Sequence, residues 1–165
     1  NLTQDLLYGL ATNRDCASKE TVSIWMVHAL AKVRIILDES LGDIGQVTVS
    51  GYKTGHFSPI NNGVPAWEID NVNTHIYADF RKYEGKVDEE LKNNNSVTVF
   101  ILPDKITGLK MWNSVEQEID ASEEIKKHTF LAGKVYNLTI SKSNGVRKKN
   151  TNSRSIAMSV RCVSE

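Results

Sequence analysis

The sequence predicts an all-β sandwich. Three observations carry that reading: about seven segments with the two-residue alternation of strands, turn signals between them, and almost no helix. Successive side chains on a strand point to opposite faces, so a half-buried strand reads apolar and polar by turns. A barrel stays open at this stage, because patterning does not distinguish closure.

The longest segment comes first. In residues 22–37, VSIWMVHALAKVRIIL, the alternate positions Trp25, Val27, Ala29, Ala31, Val33, Ile35 and Leu37 form one apolar row. The other row starts apolar and turns polar through His28, Lys32 and Arg34. A helix would also gather Val22, Met26, Ala29, Leu30, Val33 and Leu37 on one face. Six of the sixteen residues are Val or Ile, and stiff β-branched side chains favour a pleated surface. The segment is a strand. It exceeds the roughly 3 to 10 residues usual for one, so a bend or bulge is expected near His-Ala-Leu.

IGQVTVSGY (44–52) sets Val47 and Val49 against Gln46 and Thr48. THIYADF (74–80) sets Ile76, Ala78 and Phe80 against His75, Tyr77 and Asp79. NSVTVFILP (95–103) is a β-rich run closed by Pro103, and LKMWNSV (109–115) is a weaker one. KVYNLTISK (134–142) sets Tyr136, Leu138 and Ile140 against Val135, Asn137, Thr139 and Ser141. SIAMSVRCV (155–163) is the last strand, with Ile156, Met158, Val160 and Cys162 on one face. Turns are marked by Gly51 and Gly55, Ser58-Pro59, Asn61-Asn62-Gly63 and Ser143-Asn144-Gly145. Two short helices are expected, over 2–11 and over 86–94, the second equally readable as a polar loop. Residues 143–155 read as a flexible basic loop. The whole, 1–165, reads as one sandwich domain with an N-terminal segment at 1–20.

Composition excludes several function classes. Lys plus Arg equals Asp plus Glu, 20 against 20, so no net field draws in nucleic acid or an acidic membrane. No apolar run reaches the ~18 residues of a membrane helix. Residues 1–15 lack the charged and apolar regions of a signal peptide, which says nothing of a trimmed product. Cys16 and Cys162 fit no CxxC or zinc-ribbon spacing. They either pair, closing nearly the whole chain for a model stabilisation of about 5 kcal/mol, or act as two separate small hydrophobes.

No catalytic, cofactor or metal residues are expected, and no cofactor. His28 is the sharpest single feature, and it reads as a structural histidine whose ring donates to a backbone carbonyl. His56, His75 and His128 match no metal-ligand spacing. The carboxylates of 115–124 and 87–91 read as solvated edges, and 70–75 has oxygens but not a calcium loop. GxSxG, GxxxxGK[ST] and GxGxxG are absent. Trp25, Trp67 and Trp112 would suit a sugar-stacking platform or, more plainly, a core. Trp67, in GVPAWEI, sits in the most loop-like context and is the candidate ligand contact.

QDLLYG (4–9), followed by the strand with its His-Ala-Leu-Ala-Lys centre, resembles the fimbrillin-like family of Bacteroidales surface proteins. The resemblance continues through VTVSGYKTGHF (47–57), VFILPDK (99–105) and TFLAGKVYNLTIS (129–141), and so covers residues 4 to 142. RSIAMSVRCV departs from that family's ending and looks like the closing strand of other secreted Bacteroidetes domains. The resemblance implies a transthyretin-like Greek-key sandwich, similar to the second of the family's two domains. The first domain, a lipobox cysteine and a protease-trimmed N-terminal strand have no counterpart here. It further implies export to the cell surface or outer membrane, and assembly into a fimbrium by exchange of β-strands. The partners expected are other pilus subunits or surface proteins, or a host protein or glycan. On that model the strand 155–163, through Ile156, Met158, Val160 and Cys162, would be the donor or locking strand, or would simply complete its own sheet. Non-enzymatic adhesion is thus the expected function. A secreted binding module recognising glycan or host protein through the 53–67 loops is the alternative.

Overall fold

A break at Ala29–Leu30 divides the longest apolar segment between two sheets. The computed structural model describes residues 5–9, 21–52, 54–58, 66–70, 74–103, 106–142, 145–153 and 155–161. In chain order the strands are β1 (Leu7–Tyr8), β2 (Thr21–His28), β3 (Ala31–Leu37), β4 (Ile44–Tyr52), β5 (Gly55–Ser58), β6 (Ala66–Ile69) and β7 (Thr74–Arg81). There follow β8 (Ser96–Ile101), β9 (Ile106–Asn113), β10 (Glu118–Asp120), β11 (Lys134–Ser141), β12 (Gly145–Ser153) and β13 (Ser155–Arg161). Helix α1 (Glu89–Asn94) precedes β8 and helix α2 (Ser122–Ile125) precedes β11. The fold is an all-β sandwich with two short helices.

Two four-stranded sheets make the sandwich, in the orders β12-β11-β3-β8 and β10-β9-β4-β7. Their inward positions form one apolar core. Val33, Ile35, Val97, Val99, Tyr136 and Leu138 come from the first sheet, and Val47, Val49, Leu109, Met111, Ala78 and Phe80 from the second. Each of the Val, Ile, Leu, Met and Phe side chains contributes about 1.5–3 kcal/mol by leaving water. Inside the core the rings of Phe130 and Tyr136 meet edge to face, their centroids 5.2 Å apart, and the Tyr136 hydroxyl accepts from the Leu131 amide at 2.9 Å. β3 is central in its sheet, parallel to β11 and antiparallel to β8.

The bend expected at His-Ala-Leu is therefore a change of sheet. β3 buries the expected row, Ala31, Val33, Ile35 and Leu37. β2 lies in a separate three-stranded sheet, β1-β2-β13, and there the inward face is the other row. Ile24 and Met26 are half-buried, His28 is buried, and Trp25 is 68% exposed. The single uniform face expected from Trp25 to Leu37 fails at this break, because each sheet buries a different row.

Other expectations are corrected by pairing that residue type does not announce. Residues 145–153, read as a flexible loop, form β12 against β11. An edge strand draws its hydrogen bonds from a neighbour's backbone, and Lys-rich edges discourage further pairing, so a polar sequence is no bar. The 53–67 stretch contains β5 and the first residues of β6, which pair antiparallel. Residues 5–9, inside the expected helix 2–11, are not helical, and Leu7–Tyr8 pair with β2 as a strand. Ile76, expected inward beside Ala78 and Phe80, is 66% exposed. Between Val49↔Ala78 and Ser50↔Ile76 the pairing skips Tyr77, and one extra residue reverses the face of everything beyond it. Thirteen strands among the described residues exceed the seven or so expected, several of the extra ones being only two to four residues long.

The 86–94 expectation is met as a helix. Asp88 caps α1 by accepting from the Leu91 amide at 2.8 Å, and Asn95 ends it in the left-handed region. Leu91 is buried in the core. Glu90, expected on a solvated edge, instead accepts from Arg34 Nε at 3.1 Å, Ser96 Oγ at 2.9 Å and Thr98 Oγ1 at 3.1 Å. That network fastens the helix to β3 and β8.

Candidate functional site

The three-stranded sheet holds the strand singled out for exchange or locking. β13 pairs antiparallel with β2 from Ser155↔Val27 to Arg161↔Thr21. The register places Ile156, Met158 and Val160 across from Met26, Ile24 and Val22. Among the described residues β13 has a strand neighbour on one side only. Here it completes a sheet of its own chain. Cys16 and Cys162, and with them their pairing, lie outside the described residues.

His28 stands where β2 gives way to the sandwich. Its Nδ1 pairs with the Asp5 carboxylate, a charge-capable partner in place of the backbone carbonyl expected. The Leu6 carbonyl accepts from the Ala29 amide at 2.8 Å, and the Leu30 carbonyl accepts from Gly133 at 3.0 Å. Gly133 has φ +67°, and a Cβ there would lie 3.2 Å from the His28 carbonyl oxygen. The junction thus ties residues 5–9, the sheet change and the β11 approach together.

Trp67 belongs to the same junction. It is half-buried in strand β6, not in a loop, and its indole N–H donates to the Ala29 carbonyl at 2.7 Å. Its ring packs on Phe57 with centroids 5.0 Å apart, and Phe57 meets Tyr8 at 4.8 Å. Burial pushes the Tyr8 phenol above its ordinary value. With its polar atom engaged internally, Trp67 serves as the anchor of the β5–β6 hairpin. The three tryptophans lie in three different sheets, and so do not line up as successive positions of one platform.

A shallow cleft of about 180 Å³ opens over β4, the end of β7 and the β9–β10 turn. Gly45, Gln46, Arg81, Tyr83, Glu84, Trp112 and Glu116 are among its lining residues. Tyr83 is exposed but tethered: its hydroxyl donates to Asp43, which also accepts from Lys82 Nζ at 2.6 Å. Those two donors hold the Asp43 carboxyl below the usual carboxylate range. Asp43 in turn raises the Lys82 ammonium and the Tyr83 phenol. Sequence reading found Trp112 but not its setting, since Tyr83 and Glu84 lie about thirty residues away in the chain and carry no motif.

Among the described residues no three His, Cys, Asp or Glu side chains converge as a metal site would need, and no helix is long and apolar enough to cross a membrane. No protein-family model and no curated protein matches the chain. Among solved structures it is similar to a "putative cell adhesion protein" of Bacteroides uniformis, at 15% identity and a TM-score of 0.42, over 84% of this chain and 52% of that one. A structure of the same description from Bacteroides ovatus gives 10% identity and a TM-score of 0.44, over 85% and 48%. The chain spans about half the length of each.

Proposed function

We propose that this chain is a non-enzymatic cell-surface structural and adhesion protein, exported and assembled as a fimbrial subunit or as an accessory or tip component. Its sandwich is read as a single transthyretin-like domain of the fimbrillin-like kind. Other subunits or surface proteins are its partners, and no cofactor takes part. The observation that carries the reading is β13, which among the described residues lies on an outer edge of a small sheet with β2 as its one strand neighbour. Such a strand is poised between completing its own sheet and completing a neighbour's, since both offer the same backbone hydrogen bonds. The ordered resemblance of QDLLYG, the β2–β3 segment and TFLAGKVYNLTIS supports the same family.

The test is an immunoblot of material sheared from the source cells, unheated and fully denatured. A ladder of heat-labile high-mass species is expected. A single monomer band in both lanes would end the shaft-subunit reading and leave a tip, anchor or secreted binding protein.

A further inference from the structure

We infer that the cleft over β4, β7 and the β9–β10 turn is a binding site for a single neutral pyranose unit, such as the end of a glycan chain. This gives the adhesion reading a ligand class and rests on that reading for its biological use. The geometry itself is independent of strand exchange.

Size is the first argument. At about 180 Å³ the cleft falls below the ~300 Å³ where drug-sized pockets begin, which leaves room for one ring and not for a peptide or nucleotide. Chemistry is the second. A sugar offers hydroxyls that both donate and accept, together with one apolar C–H face. The cleft has a half-buried Trp112 and a Tyr83 ring held in place through Asp43. It also has an Arg81 guanidinium, of which among the described residues only Nε is engaged, on Asp79 at 3.1 Å. Among the described residues no hydrogen bond or ion pair uses the Glu84 or Glu116 carboxylates or the Trp112 indole N–H. Donors and acceptors thus stand free among lining residues that include two aromatics.

Two carboxylates against one guanidinium disfavour an anionic ligand, so a neutral sugar fits better than a sialic acid or a phosphate. Space is the third argument. A Cβ at Gly45 would lie 3.6 Å from the Tyr83 ring and 3.8 Å from the Trp112 carbonyl. A glycine there keeps the floor open, and a larger side chain would grow into the cleft.

Methyl β-galactoside and methyl β-glucoside, each titrated to about 50 mM into the full chain, provide the test by NMR. The expected result is saturable movement of the Trp112 indole N–H and the Asn113 and Ser114 amides. A Kd on the order of 1–10 mM suits a ligand of about a dozen heavy atoms. Gly45→Val should abolish the shifts, its fold checked by the rest of the spectrum, and Arg81→Ala, which leaves the β4 backbone untouched, should weaken them at least ~5-fold. No movement with either sugar, movement confined to residues outside the cleft, or unchanged binding in both variants would overturn the site. Equal or tighter binding of methyl α-sialoside at the same resonances would overturn the neutral class. None of these outcomes bears on the sheared-material blot, so the two readings fail separately.

Discussion

Replacing Trp67 by Phe removes one hydrogen-bond donor while keeping a ring against Phe57. Ala29 is fully buried, and among the described residues its carbonyl accepts only from the Trp67 indole, at 2.7 Å. Trp67→Phe therefore leaves a buried carbonyl without a partner, which costs about 1–3 kcal/mol. The lost apolar area is small, because the six-membered ring remains. Urea unfolding reads this directly. With a slope of about 2 kcal/mol/M for a domain of this size, the midpoint falls by about 0.5–1.5 M and the slope stays constant. Trp67→Ala should fall further, since the packing on Phe57 goes as well. A Trp67→Phe midpoint within about 0.2 M of the parent, with Trp67→Ala no worse, would refute the anchor. Trp67 would then be free for the ligand contact that its loop-like sequence suggested.

Three further perturbations probe the backbone and the charge cluster. Glu116 sits at φ +60° in the turn between β9 and β10, a region costly for any residue with a Cβ, so Glu116→Gly should stabilise by about 1 kcal/mol. Differential scanning calorimetry would show a rise of about 2–4 °C. Gly133→Ala should cost about 1–2 kcal/mol from its positive φ alone, with a contact on the His28 carbonyl oxygen added; a melt unchanged within about 1 °C would contradict it. The Asp43 carboxyl lies below its unfolded value near 3.8, so its contribution is present above that pH and fades as pH falls through the folded value. Lys82 is raised above 10.5, so its contribution is full below that pH and fades as pH rises through the folded value. Asp43→Asn should then cost about 0.5 kcal/mol at neutral pH, a small figure because the carboxylate is largely exposed. That gap should close in acid below the folded value; a gap undiminished there, by urea midpoint against pH, would show that the pair is not its source.

Much of the sandwich was legible because its inner strands obey one local rule. In 44–52 and 134–142, period-two alternation named the buried residues Val47, Val49, Tyr136, Leu138 and Ile140, and the structure buries all five. The rule failed where pairing, not side-chain type, decided the outcome. Ile76 was misplaced by one skipped residue opposite β4. Trp25 was misplaced because β2 and β3 belong to different sheets. β12 was missed because an edge strand needs a neighbour's backbone more than its own apolar residues.

The candidate sites were less legible for a related reason. Asp5 and His28, or Trp67 and Ala29, are joined across twenty to forty residues by single hydrogen bonds, and no local pattern encodes such a contact. The cleft likewise exists only once β4, β7 and the β9–β10 turn stand side by side. By itself the sequence determined the all-β class, most inner strands and their buried rows, because these follow from alternation within a few residues, while it left 86–94 open between helix and polar loop. Tertiary structure alone decided the change of sheet at Ala29–Leu30, the edge position of β13 and the convergence of the cleft residues. Register and sheet membership are set by backbone partners far away in the chain.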